Sequence, residues 1–177
     1  GADAGRVVYD LDYRDAARDG RWLVSWNLGV DGTVRFDTED AENLVAATGA
    51  QAFHRHSPAF GFFAGLDFTY TRNLTGERQL LLGGDNGLRG YPQRFQEGDR
   101  LLRLRLEERW FSDLHPFQLV RLGGAVFVDA GRAWFDDDPD DETSGWLANV
   151  GFGLRLTSDR VPTDSLLHLD FATPLRR

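Results

Sequence analysis

Arg89 stands at the centre of Gly87-Leu88-Arg89-Gly90-Tyr91-Pro92, and the chemistry open to it is ion pairing through a planar, forked guanidinium. Around it, Gly83, Gly84, Gly87 and Gly90 remove side-chain bulk, tolerate positive φ and allow close backbone approach, while Pro92 stiffens the exit. A loop of this composition, residues 80–99, can fold back into a cavity. About 40 residues later, Phe127-Val128-Asp129-Ala130-Gly131 places a carboxylate on an extended segment, where an inserted Arg89 could meet it; the alternative on these residues is a solvated hairpin tip and an ordinary strand charge. Glu107 and Arg109, two apart, share a strand face and could join the same cluster.

No catalytic role is expected of these residues. The chain has no Gly-x-Ser-x-Gly elbow, no phosphate loop and no Gly-x-Gly-x-x-Gly opening a helix, so nucleophilic and nucleotide chemistry lack a foothold. With no cysteine there is neither a disulfide framework nor a thiolate site. His54 and His56 lack a third ligand and read as loop residues. The acidic run from Asp136 to Glu142 lacks the glycine and glutamate spacing of a calcium loop and reads as a solvated outer loop. Neither a metal nor another cofactor is expected. A formal charge of −8 argues against nucleic acid as a partner, because phosphate binding needs a concentrated basic surface.

The elements that must position Arg89 and Asp129 are strands. Polar and apolar residues alternate in about nine segments, the signature of strands with two different faces, and no convincing helix is found. In 146–157, Trp146, Ala148, Val150, Phe152, Leu154 and Leu156 oppose Asn149, Gly151, Gly153, Arg155 and Thr157. In 101–111, Leu102, Leu104, Leu106 and Trp110 oppose Arg103, Arg105, Glu107 and Arg109, four charges that demand water or partners. Segment 60–71 sets Phe60, Phe62, Ala64, Leu66, Phe68 and Tyr70 against Gly61, Gly65, Asp67, Thr69 and Thr71, with Phe63 the exception. Segments 22–36 and 166–175 behave alike, the latter with Leu167, Leu169 and Phe171 against His168 and Asp170. Turn chemistry separates these segments, beginning with Asp15 to Gly20. Spacing is regular throughout, so residues 1–177 read as one domain, an antiparallel up-and-down meander.

Two architectures accommodate such strands: a soluble sandwich or barrel, and a transmembrane barrel with its apolar face to lipid and its polar face to the lumen. Segments of about 10 to 14 residues favour the second, being long enough to cross a bilayer when tilted. Trp22, Trp110, Trp134, Trp146 and Tyr70 fall near the ends of outward faces, as an aromatic girdle requires. Glu108, nominally on the lipid face, is then an interface residue beside Trp110. No apolar run approaches the roughly 20 residues of a membrane helix.

The combination GGDNGLRGYP, then Glu107-Glu108-Arg109, then FVDAGRAW resembles the C-terminal part of the BamA/TamA-type outer-membrane barrels, the superfamily of protein-assembly and protein-translocation channels also called the bacterial surface antigen family. The resemblance implies that the loop carrying Arg89, Gly90 and Tyr91 enters the barrel from outside. Its arginine then contacts the acidic residue of the Phe127, Asp129, Gly131 motif, beside Glu107 and Arg109. Arg103, Arg105, Arg109, Asp67 and Asp170 are expected to form an ordinary lumenal network of mutual charge pairing and hydration rather than a substrate path. It also implies a non-enzymatic protein of the Gram-negative outer membrane, whose partners are the bilayer and client or secreted proteins. Barrels of this kind close about 16 strands, so these residues would lack the first strands, the last strand and the upstream periplasmic domains. Two other readings stay open: the membrane-anchor or export barrel of a fused enzyme, and a soluble β-sandwich binding domain.

Overall fold

The computed structural model describes residues 6–35, 41–74, 79–114, 120–136, 145–158 and 166–175. Ten strands form among them and no helix. The long ones are β1 (Arg6–Asp19), β2 (Trp22–Arg35), β3 (Ala41–His54), β4 (Phe60–Arg72), β7 (Arg100–Phe111), β8 (Val120–Trp134), β9 (Leu147–Ser158) and β10 (Leu166–Pro174). These eight make one sheet in the order β1-β2-β3-β4-β7-β8-β9-β10, and every neighbouring pair is antiparallel. The fold is therefore the up-and-down meander that the alternation implies. The short strands β5 (Leu80–Leu82) and β6 (Gln96–Gly98) pair with each other at the base of the Arg89 loop, between β4 and β7. The sheet does not close on itself: β1 and β10 have neighbours on one side only.

Pairing in register gives the sheet two chemically distinct faces, because residues opposite one another across strands project to the same side. One row runs Phe62, Glu108, Val126, Phe152, Phe171. On this face Phe62, Leu66, Leu104, Val126, Phe152 and Phe171 are exposed although apolar. The next row, Phe63, Glu107, Phe127, Gly151, lies on the other face, which the Arg89 loop covers. Here the buried residues are Glu107, Asp129, Asn149 and Arg155 together with Phe127. The arrangement inverts a water-soluble domain, with apolar side chains exposed and charges enclosed.

Polarity inverts again beneath the loop. Leu82, Leu88 and Tyr91 from the loop pack with Leu101, Ala133 and Leu147 from β7, β8 and β9 into one buried apolar cluster, with Leu80 against it. The loop therefore supplies half of the core it sits on.

Two expectations need correction. Asp15 to Asp19 do not form a turn: β1 runs through them, and the reversal is the two-residue turn Gly20-Arg21 closed by the Asp19 and Trp22 pair, with Gly20 at φ +55°. Polar residues fit there because they lie at the exposed end of β1 beside the turn, so their charged side chains stay hydrated without leaving the ladder. His54 is not in a loop but ends β3, its ring stacked 4.2 Å from Trp22. Of the acidic run only Asp136 lies within the described residues.

Candidate functional site: an arginine loop held on the sheet

The loop from Gly83 to Phe95 is shaped by its own backbone. Leu88 N donates to Gly83 O at 3.0 Å, Tyr91 N to Leu88 O at 2.9 Å, and Gly84 N to Pro92 O at 3.0 Å. Asn86 bridges the start, accepting from Gly83 N through Oδ1 at 2.7 Å and donating to Leu81 O. Of the four loop glycines only Gly87 has positive φ, +115°. Gly90 serves close approach instead: a Cβ there would lie 2.7 Å from Asn149 Cβ and 3.0 Å from Pro174 N. The loop tip therefore touches β9 and β10. Arg103 holds its back, donating through Nη1 to Asn86 O and through Nε and Nη2 to Asp67 at 3.2 and 3.0 Å.

Arg89 then projects onto the sheet. Its Nε and Nη2 donate to the two oxygens of Asp129, each at 2.9 Å, a bidentate fork on a carboxylate with no solvent exposure. Its Nη1 donates to Glu107 Oε2 at 3.2 Å and to Asp170 Oδ2 at 2.9 Å. The guanidinium carbon lies 3.2 Å from the centre of the Phe127 ring, so one face of the cation rests on an aromatic ring while its edge meets three carboxylates. Burial by itself would disfavour the charged form, but the hydrogen bonds to Asp129 and Asp170 outweigh it and raise the Arg89 pKa above its ordinary value.

The carboxylates differ in how they are otherwise satisfied. Glu107 also accepts from Arg109 Nε at 2.8 Å and has Arg155 Nη2 at 3.3 Å. Asp170 pairs with Arg155. Asp129 has Arg89 and, besides it, Asn149 Nδ2 at 2.9 Å. Space for these guanidiniums comes from small residues: in the row Arg109, Ala125, Gly153, Asp170 the two middle positions carry almost no side chain. A neighbouring group is separate, with Asp67 shared by Arg103 and Arg105 at 3.0 and 3.4 Å.

Every residue that the sequence assigns to the loop lock lies in this assembly. Arg89, Asp129, Glu107, Arg109 and Phe127 are in direct contact as described. Gly90 touches β9 and β10, Gly131 faces Leu82, and Tyr91 Oη donates to Ala148 O at 3.1 Å. Asp170, expected among the lumenal charge pairs, is paired with Arg155 and is also a direct partner of Arg89. Also unforeseen were Arg155, Asn149 and the leucines Leu82 and Leu88; for the first two the signal was parity, since Asn149, Arg155 and Asp170 all sit on the polar sides of their strands. Among the described residues no group of three or more His, Asp or Glu is placed to hold a metal ion.

Comparisons of the chain with protein-family models, curated proteins and solved structures returned no match.

Proposed function

We propose that this chain is the later part of a transmembrane β-barrel in a bacterial outer membrane, of the BamA/TamA-type assembly and translocation superfamily. In this reading the barrel inserts or transports other proteins, and the loop of Arg89, Gly90 and Tyr91 is locked inside the lumen. The observation that carries it is the fork of Arg89 on Asp129 beneath a face that encloses its charges, while the opposite face exposes phenylalanine, leucine and valine. Such a sheet is stable when its apolar side meets hydrocarbon and its polar side meets water or an inserted loop. Strands of 12 to 15 residues in β1 to β4 and β7 to β9 suit a tilted crossing. Glu108 supports the same placement, since its carboxylate meets His56 Nε2 at 3.3 Å near the Trp22 and Trp110 end of the outward face, where headgroups would lie.

The reading assigns no catalysis. Arg89 and its carboxylates are positioned for mutual neutralisation, and a loop fixed in this way would stabilise the barrel wall. The test is reconstitution of the full-length protein into lipid vesicles, with an unfolded outer-membrane β-barrel protein as the insertion probe and a secreted polypeptide as the transport probe. Acceleration of either over empty vesicles is expected, with reduced activity in Arg89→Ala. Failure to accelerate both, from a protein shown to be folded in the bilayer, would overturn the proposed function.

A further inference from the structure

We propose that the outward face carries a binding site for the phosphate headgroup of a membrane lipid, formed by Arg72, Arg100 and Arg132; the proposal rests on the membrane reading above. The three arginines lie diagonally on adjacent strands β4, β7 and β8, at the end from which the Arg89 loop emerges. Register puts them on the apolar side: Arg100 aligns with Tyr70 and Trp134, Arg132 with Leu102, and Arg72 with Leu44. Aromatic rings support two of them, Arg100 5.5 Å from the centre of Tyr70 and Arg132 5.3 Å from that of Trp134. A cavity of about 700 Å³ opens beside Arg72 and Arg100, lined also by Tyr70, Phe135, Asp99 and Asp136, and Arg132 lies outside its lining.

Carboxylates are present too, and they decide which arginine leads. Asp136 is exposed and meets Arg100 Nη2 at 2.6 Å, Asp99 lines the cavity, and Glu42 lies two residues beyond Leu44 on β3 and makes an interaction of its own. Arg100 is thereby partly neutralised, and Arg132 also has an interaction of its own, whereas exposed Arg72 forms no ion pair with any described residue. Arg72 is therefore the primary contact for an anion, and Arg132 adds its positive charge from two strands away. A lipid, rather than a free ion, is favoured because the arginine rows continue without a break into Phe68, Leu102 and Leu104, along which acyl chains would lie while the phosphate reaches the guanidiniums.

The site is tested on the full-length protein purified in detergent, by native mass spectrometry after adding phosphatidic acid or a diacylglycerol with the same chains. The wild type is expected to retain phosphatidic acid selectively. Arg72→Gln/Arg132→Gln is expected to weaken that retention about 30-fold, from roughly 1 kcal/mol for each arginine at an anionic lipid surface. Equal retention of the two lipids by the wild type overturns the site and needs no variant to fold. Undiminished selectivity in the double variant, or displacement of phosphatidic acid by millimolar inorganic phosphate, also overturns it. A protein that stays monodisperse without detergent and binds neither lipid overturns the membrane reading and this site with it.

Discussion

Arg89 distributes one guanidinium over three carboxylates, so its removal is felt most where no other cation substitutes. Glu107 keeps Arg109 and Arg155, and Asp170 keeps Arg155, but Asp129 is fully buried and would be left with the amide of Asn149 alone. Arg89→Ala is accordingly expected to destabilise the folded protein by about 3–5 kcal/mol, the range for stranding one partner of a buried pair, and to expose residues 83–95 to protease. Arg89→Lys is expected to recover part of this, because a single ammonium restores charge without the fork. Urea titration in lipid vesicles reads both variants; a wild-type midpoint in Arg89→Ala would show that the pair carries no stability. Gly90→Ala separates charge from shape. It keeps every ionic group but puts a methyl 2.7 Å from Asn149 Cβ, so the loop must lift and a loss of about 1–3 kcal/mol should follow. Protease resistance equal to wild type would contradict the close seating of the tip.

At the scale of strands, the two faces make opposite demands. Val128 lies near the middle of β8 and is exposed on the apolar side. If that side meets hydrocarbon, Val128→Arg costs about 2–4 kcal/mol, as a lipid-facing cation near the bilayer midplane does. On a face open to water the change would lie within about 0.5 kcal/mol, and measuring its unfolding in vesicles distinguishes the two. Much of the strand architecture was legible in advance, because alternation over about a dozen residues marks a strand with two different faces, and parity put Glu107 with Arg109 on one side of their strand and Phe127, Asp129 and Gly131 on one side of theirs. An arginine among glycines and an acid on a later strand made the pairing of Arg89 with Asp129 conceivable, but a solvated hairpin tip fitted those residues as well, and only the resemblance to the outer-membrane barrels favoured the lock. Asp170 escaped because nothing local marks it: its nearness to Arg89 depends on the β9 and β10 register and on the small residues Ala125 and Gly153 in its row. Leu82 and Leu88 escaped because a polar strand face gave no hint that the loop brings its own apolar cluster. The strand through Asp15 to Asp19 was hidden by turn-like composition, which the exposed end of a strand tolerates.

For the whole molecule, the open sheet poses a question of closure. Both β1 and β10 present an unpaired edge, and an exposed edge of this length invites aggregation unless it is covered. In a closed barrel both edges are paired, so amides along the outer edges of β1 and β10 should exchange as slowly as those of β7 and β8 when the full-length protein is studied in vesicles. Fast exchange along both would mean that the sheet stays open. In the proposed reading, the apolar outer face, the enclosed charges and the inserted loop belong together because the lock forms within a bilayer-spanning wall. The most direct measurement is a double-mutant cycle between Arg89→Ala and Asp129→Asn, read by unfolding of the full-length protein in lipid vesicles. A coupling of at least about 1.5 kcal/mol is expected, with the double variant more stable than the two single losses combined would allow, because a neutral amide in place of the Asp129 carboxylate no longer strands a buried charge. Additivity within about 0.5 kcal/mol would contradict the lock, since the fork would then contribute nothing to the folded wall.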